Sequence, residues 1–234
     1  MNKLRNMLVA MIAIAGLSTS AFAGSMSIGL VGSNFSAAAS GTETDRITAA
    51  GANIADTSTR SLSKNVDATV GTIYVEYTTD FRFPIALGIE YTPGETSIHS
   101  GTRSDTETSQ SGSAVETTTT STRQAAAEMT NFATAYIEVP IFKGLYVKGG
   151  LANMTVNHKN DSGLGAATHL TGTNTGVGYK ITTAGGYILK ASYEETDYDT
   201  ISLRSTNNSV AANSTAVSAN VDTEAYRVSI GKSF

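Results

Sequence analysis

The sequence has no cysteine, no tryptophan and only three prolines among its 234 residues. The absence of cysteine excludes disulfide bonds, a catalytic thiol and any metal site built on thiolates. Long apolar runs are also missing: beyond residue 17, no segment approaches the roughly 18 consecutive apolar residues that a membrane-spanning helix needs. Such a chain can cross a bilayer only as a closed barrel of strands, because no other arrangement satisfies its backbone hydrogen bonds in lipid.

The N-terminal segment has the features of a secretory signal. Two basic residues near the start precede an uncharged apolar run of 11 residues, Met7 to Leu17, and residues 21–23 form a small-x-small cleavage site. The apolar run is too short for a transmembrane helix. We therefore predict a signal peptide over residues 1–23, cleaved after Ala23, and one exported domain over residues 24–234.

The predicted mature domain is acidic. Without the two basic residues of the signal segment, 14 of the 16 basic residues remain against 20 acidic ones, so the net charge is −6. A negative domain of this kind is not suited to bind a polyanion. We predict no nucleic-acid partner.

Apolar residues alternate with small or polar residues in eight segments of this domain. In the clearest segment, from Phe83 to Tyr91, every second residue is bulky and apolar. A period of two indicates strands with one apolar and one small or polar face. In the fourth segment, this alternation predicts Met129 and Ile137 on the apolar face and Glu138 on the other. The eight segments begin near residues 25, 68, 83, 129, 145, 177, 187 and 226.

The connections between these segments alternate between short and long. The short ones are Asp80 to Arg82, Phe142 to Gly144 and Thr182 to Gly186. The long ones are polar and poor in aromatic residues, and they cover residues 41–64, 94–124, 157–170 and 206–220. This order predicts an all-β fold: an eight-stranded antiparallel up-and-down transmembrane β-barrel with three short periplasmic turns and four long polar extracellular loops.

The long connections contain too few apolar residues to fold by themselves. The segment from Gly94 to Gln124 has 16 serines or threonines among 31 residues. Such a composition cannot bury enough apolar surface to offset the loss of conformational entropy. We expect mobile hairpin extensions or disorder in these segments.

Together, these features resemble the small Gram-negative outer-membrane β-barrels, which include the outer-membrane protein A transmembrane domain, the X-type barrel and the opacity-like proteins. The resemblance covers the whole predicted mature chain, but it is a pattern without invariant residues. It implies an outer-membrane location, contact with lipid and lipopolysaccharide, and insertion by the barrel-assembly machinery. The residues that match the assembly signal of these proteins are Tyr226, Val228, Ile230 and Phe234. Lys232 departs from that pattern, because an apolar residue usually occupies its place.

A secreted β-sandwich is the main alternative fold, because its strands also alternate. A sandwich needs no aromatic belt, whereas a membrane barrel carries one at each interface. In this sequence Phe83, Phe142, Tyr187 and Phe234 fall at the turn ends of their segments, and Tyr91, Tyr193 and Tyr226 fall near the loop ends. This placement favours the barrel.

Charged residues fall on the polar face of the predicted strands, which faces the barrel interior. The interior of an eight-stranded barrel is only wide enough for side chains, so charges held there must pair or be hydrated. We predict a structural network that plugs the lumen; a narrow ion-conducting path is the alternative. The predicted members are Glu76, Glu90, Glu138, Lys148, Lys180, Lys190, Glu194 and Arg227.

No catalytic, cofactor-binding or metal-binding residue is predicted. The three histidines, His99, His158 and His169, fall in or beside long connections. A barrel protease with His158 and Asp161 at the loop rim is the enzymatic alternative, but such enzymes resemble wider barrels with longer chains. We therefore predict that the protein is not an enzyme.

The sequence thus predicts an outer-membrane structural or surface-interaction protein. A plugged barrel would present polar loops that contact a surface, an extracellular ligand or a phage. A small-solute pore or transporter of the outer membrane is the alternative.

Overall fold

The computed structural model describes residues 24–48, 55–111, 114–160, 167–206 and 214–234. The predicted signal peptide lies outside these residues, so its cleavage stays a prediction. No helix of the described residues is long and apolar enough to span a membrane. These residues form nine strands: β1 (Gly24–Thr48), β2 (Ala55–Thr79), β3 (Ala86–Ser111), β4 (Ala114–Phe142), β5 (Leu145–Asn160), β6 (Ala167–Thr182), β7 (Tyr187–Tyr198), β8 (Ile201–Thr206) and β9 (Ser214–Ser233).

Eight of the strands form a closed antiparallel ring. The order is β1-β2-β3-β4-β5-β6-β7-β9, and β9 also pairs with β1, from Ser27↔Ser233 to Arg46↔Ser214. The ninth strand, β8, has six residues and pairs with β9 on the edge that β7 also occupies, so it continues β7 within the ring. The prediction of an eight-stranded barrel is confirmed. The β-sandwich alternative is wrong, since a closed ring leaves no separate sheets to stack.

The ring has an apolar outside and a mixed, mostly polar inside. Along β7, exposed Leu189 alternates with buried Ile188 and Lys190, as the pleat of a strand requires. A soluble protein would bury these apolar side chains, but a barrel in lipid presents them outward. The exposed apolar side chains include Ile28, Leu30, Ile73, Val75, Leu87, Ile137, Val147, Leu151, Val177, Leu189, Val228 and Ile230.

Short turns connect the strands at one end of the barrel. Lys143 and Gly144 adopt positive φ angles of 38° and 91° between β4 and β5, and Gly186 has a φ of 77° before β7. Glycine accepts this left-handed conformation without strain, which explains its place in both turns. Exposed aromatic side chains surround this end: Phe81, Phe83, Phe142, Tyr187 and Phe234.

At the opposite end, strands continue into segments that the sequence predicts to be loops. The ladder between β1 and β2 runs to Thr48↔Ala55, and that between β3 and β4 runs to Ser111↔Ala114. Threonine-rich segments favour extended backbone, and pairing satisfies the backbone hydrogen bonds even where both faces are polar. The long connections are therefore hairpin extensions over most of their length.

An irregularity in β4 changes which side chains face the lumen. The pairing of β4 with β5 shifts between Thr130 and Ala133, and Asn131 has a φ of 56°. A bulge adds one residue to the strand and reverses the alternation beyond it. Met129, predicted on the lipid face, is instead fully buried. That part of the prediction is wrong.

The loop-side half of the lumen contains an apolar cluster. It lies beyond the charged residues and includes aromatic, aliphatic and methionine side chains that point inward from the extended strands. We call it the upper apolar cluster; its buried members are Phe35, Ala37, Met129, Ala152, Met154, Val156, Leu170, Tyr198, Ile201 and Val221. It packs the barrel interior above the level of the charges.

Candidate functional site in the barrel lumen

Eight charged side chains extend into the lumen from seven strands of the ring. All of them are at least four-fifths buried: the most exposed, Lys180, has 20% of its side chain accessible, and Glu76 has none. Each comes from an inward position of its strand, because every second residue of a strand faces the same side. The eight residues form two clusters, each with two carboxylates and two cations.

The turn-side cluster consists of Glu76, Glu138, Lys180 and Lys190. The Lys180 ammonium lies 2.7 Å from a carboxylate oxygen of Glu76, and Lys190 contacts the other oxygen. Lys190 also lies 2.8 Å from Glu138, and the Tyr136 hydroxyl donates a 3.0 Å hydrogen bond to Glu76. Every charge in this cluster therefore has at least one partner of opposite sign.

The loop-side cluster consists of Glu90, Lys148, Glu194 and Arg227. Lys148 donates hydrogen bonds to Glu90 at 3.0 Å and to Glu194 at 2.9 Å. The guanidinium of Arg227 spans the same two carboxylates, 2.7 Å from Glu90 and in contact with Glu194. Because two acids and two bases meet in each cluster, the network is electrically neutral at both levels.

The ion pairs cross the lumen. Glu138 and Lys148 stand directly opposite each other on β4 and β5. Even so, Glu138 contacts lysines of β6 and β7, whereas Lys148 contacts glutamates of β3 and β7. The side chains thus tie distant sides of the ring together. An unpaired charge in such an interior is destabilising. Removing one member of the network therefore destabilises the fold, because its partners are left unpaired.

Three tyrosines fill the lumen beside these charges, and each lies over a glycine of the neighbouring strand. Tyr136 stands opposite Gly88, Tyr146 opposite Gly178 and Tyr74 opposite Gly29. A Cβ atom on any of these glycines would overlap the facing tyrosine ring. The glycines therefore provide the space for the rings, a packing role that strand alternation alone does not reveal.

The four residues of the predicted assembly signal lie on the outward face of β9 or just beyond its end. Tyr226, Val228, Ile230 and Phe234 are between 60% and 79% exposed. Lys232 shares this face: its ammonium lies 4.4 Å from the centre of the Tyr187 ring and donates a hydrogen bond to Gly185 O. At the turn-side rim, the aliphatic part of the Lys232 side chain can contact lipid while its ammonium group stays in a polar environment. The role of these residues in assembly stays a prediction.

The enzymatic alternative falls on residues whose side chains the structure does not describe. Asp161 and the side chains of His99 and His158 lie outside the described part. His169 is exposed, and its Nδ1 is 2.9 Å from the Thr155 hydroxyl. Among the described side chains, no group of three or more histidines and carboxylates is placed to hold a metal.

Two acidic pairs lie on the outer surface of the barrel, beyond its lipid-facing residues. Glu195 stands opposite Glu224, and Asp197 opposite Asp222, on the paired strands β7 and β9. Like charges in direct cross-strand positions repel each other. Partial burial and the neighbouring Asp197 carboxylate raise the pKa of Asp222.

We expect Asp222→Asn to stabilise the protein at pH 7 and to have little effect at pH 3. A raised pKa in the folded state favours the protonated carboxyl, so this site loses stability as the pH rises through that pKa. Asparagine mimics the protonated form at every pH. The check is urea unfolding in micelles at both pH values, with Asp67→Asn as an exposed control. An equal gain in the free energy of unfolding at pH 3 would contradict a raised pKa of Asp222 in the folded protein.

The closed ring, the outward apolar surface and the paired charges inside define the class of protein. Only helices and closed barrels satisfy all backbone polar groups in lipid, and barrels of this even-stranded antiparallel kind are typical of Gram-negative outer membranes. The chain is a small outer-membrane β-barrel.

No family model matches the chain, and no curated protein matches its sequence. Among solved structures, it is similar to the outer membrane protein OprG of Pseudomonas aeruginosa, with 13% identity over 91% of this chain and 97% of that chain and a TM-score of 0.44. It is also similar to the Escherichia coli outer membrane protease OmpT, with 9% identity, coverage of 93% and 100%, and a TM-score of 0.40. A third similar structure is the attachment invasion locus protein Ail of Yersinia pestis with the heparin analogue sucrose octasulfate, with 14% identity, coverage of 83% and 98%, and a TM-score of 0.32.

Proposed function

We propose that the protein is a closed outer-membrane anchor that holds paired strands outside the membrane for contact with a surface or an extracellular ligand. The observation that carries this proposal is the pair of neutral ion clusters across the lumen. A pore would need a continuous hydrated path along the barrel axis. The clusters occupy that path at two successive levels.

Little free space remains among the charges. A cavity of about 10 Å³ lies between the two clusters, next to Tyr74 and Ser229. This volume suits about one water molecule. The tyrosine rings and the ion pairs fill the remaining cross-section, as expected for a barrel of only eight strands. A hydrated ion would have to displace several of these paired groups.

The strands extend well beyond the lipid-facing band. On β2 the outward apolar residues cover only 73–77, and residues 55–72 continue in register with β1. At about 3.3 Å for each residue, these 18 residues span roughly 60 Å. The strands cross the lipopolysaccharide leaflet and carry serine and threonine hydroxyls into the space outside. Such hydroxyls can hydrogen-bond to a surface without adding net charge.

The purified protein in planar bilayers should show no steady single-channel conductance. The same result is expected after removal of residues 101–122, which would rejoin Ser100 to Arg123 within the β3–β4 hairpin. This truncation should leave the ring folded, because it removes only the loop end of the β3–β4 ladder and keeps the pairs from Ala86↔Glu138 to Ser100↔Ala126. A stable, ion-selective conductance that survives the truncation would replace the anchor proposal with the pore alternative.

The same truncation tests the contact role. Suspended cells that produce the full chain should settle faster than cells with equal amounts of the truncated protein, if the paired strands make contacts between cells. Different gel mobilities of boiled and unboiled samples would show that both proteins are folded. Equal settling rates would contradict a contact role for this hairpin.

A further inference from the structure

The wall of the barrel has a notch between β2 and β3. These strands pair only from Thr78↔Ala86 to Ile73↔Tyr91, although both continue far beyond this point. Beyond Ile73, β2 remains paired with β1, and β3 with β4. The ladder ends at the upper edge of the lipid-facing apolar residues. The notch therefore faces the headgroup level of the outer leaflet.

The local sequence explains why the ladder stops. The next pair in register would be Thr72 with Thr92, and their hydroxyls form a 2.6 Å hydrogen bond across the opening. Pro93 follows and has no N–H to donate. Gly94 then adopts a φ of 101°, and the β3–β4 register shifts between Thr92 and Glu95. These changes turn β3 away from β2.

A cavity of about 80 Å³ lies directly behind the notch. Thr72 and Thr92 line its near side, and Asn174 and Thr196 line its far side. This arrangement follows from the ring order, which places β6 and β7 across the lumen from β2 and β3. The loop-side cluster closes the cavity on the side that faces the short turns. The volume is several times the roughly 10–15 Å³ that one water molecule needs by the same measure.

Asn174 lines this cavity and has a buried acceptor without a partner among the described residues. The residue is 4% exposed, and its amide nitrogen donates to the Thr196 hydroxyl at 3.0 Å and to Glu195 O at 3.3 Å. A backbone carbonyl can only accept, so the amide nitrogen must lie on that side. The Asn174 Oδ1 has no hydrogen-bond partner within the described structure. A buried acceptor of this kind favours a ligand that brings a donor.

The charges and walls of the cavity limit the chemistry of that ligand. Glu90 and Glu194 already pair with Lys148 and Arg227, so an ionic ligand would find no free counter-ion. The Phe132 ring, packed edge-on against a neighbouring phenylalanine, provides an apolar wall. A hydroxyl is the uncharged donor that suits Asn174 Oδ1.

We propose that this cavity binds the hydroxyl-bearing end of an uncharged molecule that enters through the notch between β2 and β3. The cavity has room for a small polar group, and the rest of a larger molecule would extend through the notch into the outer leaflet. The hydroxyl belongs either to a free polyol or to the headgroup of an uncharged amphiphile. The two sources share the same contact with Asn174.

Binding of glycerol and of glycerol monolaurate to the protein in lipid nanodiscs tests the proposal. Saturable binding of the monolaurate alone would identify an amphiphile as the source, and saturable binding of glycerol would identify a free polyol. Asn174→Leu should weaken the binding at least about tenfold, because the acceptor is lost. Ser229→Ala is the matched control, since Ser229 also has a buried polar atom without a partner in the described part of the chain but lines the smaller cavity between the two ion clusters. The proposal fails if neither probe binds saturably, or if Asn174→Leu binds like the unmodified protein.

A disulfide across the notch tests the entry route in a single folded protein. The chain has no cysteine, so Thr72→Cys with Thr92→Cys can form only one intramolecular bridge. The oxidised protein should bind the monolaurate several-fold more slowly than the reduced protein. Equal binding rates in the two states would overturn the notch as the route.

Discussion

Replacing Glu76 with glutamine should lower the free energy of unfolding by about 3 kcal/mol, because the change leaves buried lysines without their main partner. Glu76 is the least accessible carboxylate of the lumen, and it contacts Lys180, Lys190 and the Tyr136 hydroxyl. Glutamine has nearly the same shape, so the change removes a charge without opening a cavity. Urea unfolding in micelles, followed by tyrosine fluorescence, would measure the loss.

The exposed residue Glu95 provides the control for this prediction. Glu95→Gln should change the stability by less than about 0.5 kcal/mol, as is usual for an exposed position. Adding Lys180→Gln to Glu76→Gln restores neutrality in the turn-side cluster, so the double change should cost less than the sum of the single changes. Additive costs would show that the charges do not act as one network.

Replacing Gly88 with valine should prevent the barrel from closing. The new side chain would occupy the space of the Tyr136 ring, which is buried and tied to Glu76 by its hydroxyl. Moving the ring would displace the turn-side cluster as well, so the damage would not stay local. Overpacking of this size exceeds the usual cost of about 1–3 kcal/mol for extra methylenes in a core. The folded fraction, measured from gel mobility before and after boiling, should fall to near zero.

Gly149 is the matched control, because a Cβ atom at this exposed position would meet no other atom within 4 Å. Gly149→Val should fold normally, since it adds an apolar side chain to a strand that already presents Val147 and Leu151 to lipid. Combining Gly88→Val with Tyr136→Ala should recover part of the folding by making room for the valine. A folded Gly88→Val protein would contradict the packing role of the glycine.

The strand number and most side-chain directions follow from the sequence alone. Alternation with a period of two is imposed by backbone geometry wherever one face meets lipid and the other meets the lumen. For that reason the same pattern that places Leu189 outside also places Lys190 inside. The alternation of short and long connections then fixes the antiparallel order of the strands. Neither inference requires knowledge of any particular side-chain contact.

Other features depend on contacts that a linear pattern does not contain. The bulge at Asn131 inserts one residue and reverses the predicted direction of Met129. Asparagine tolerates a positive φ, but one asparagine does not distinguish a bulge from a regular strand. The pairing partners of each lumen charge depend on the stagger of the strands around the ring. The strands also extend further than predicted, because threonine-rich segments that are polar on both faces lack the alternation by which a strand is recognised.

The closure of the ring between β1 and β9 has a kinetic consequence. Ser27 pairs with Ser233, whereas the neighbouring strands of a hairpin meet after only a few residues. Closing a loop of about 200 residues costs roughly 3 kcal/mol more entropy than closing one of about 10. Most of the ladder can therefore form early, but the two edges that complete it must wait for a slow encounter. Until they meet, both edges carry unpaired backbone groups, and the open sheet is vulnerable to joining another chain.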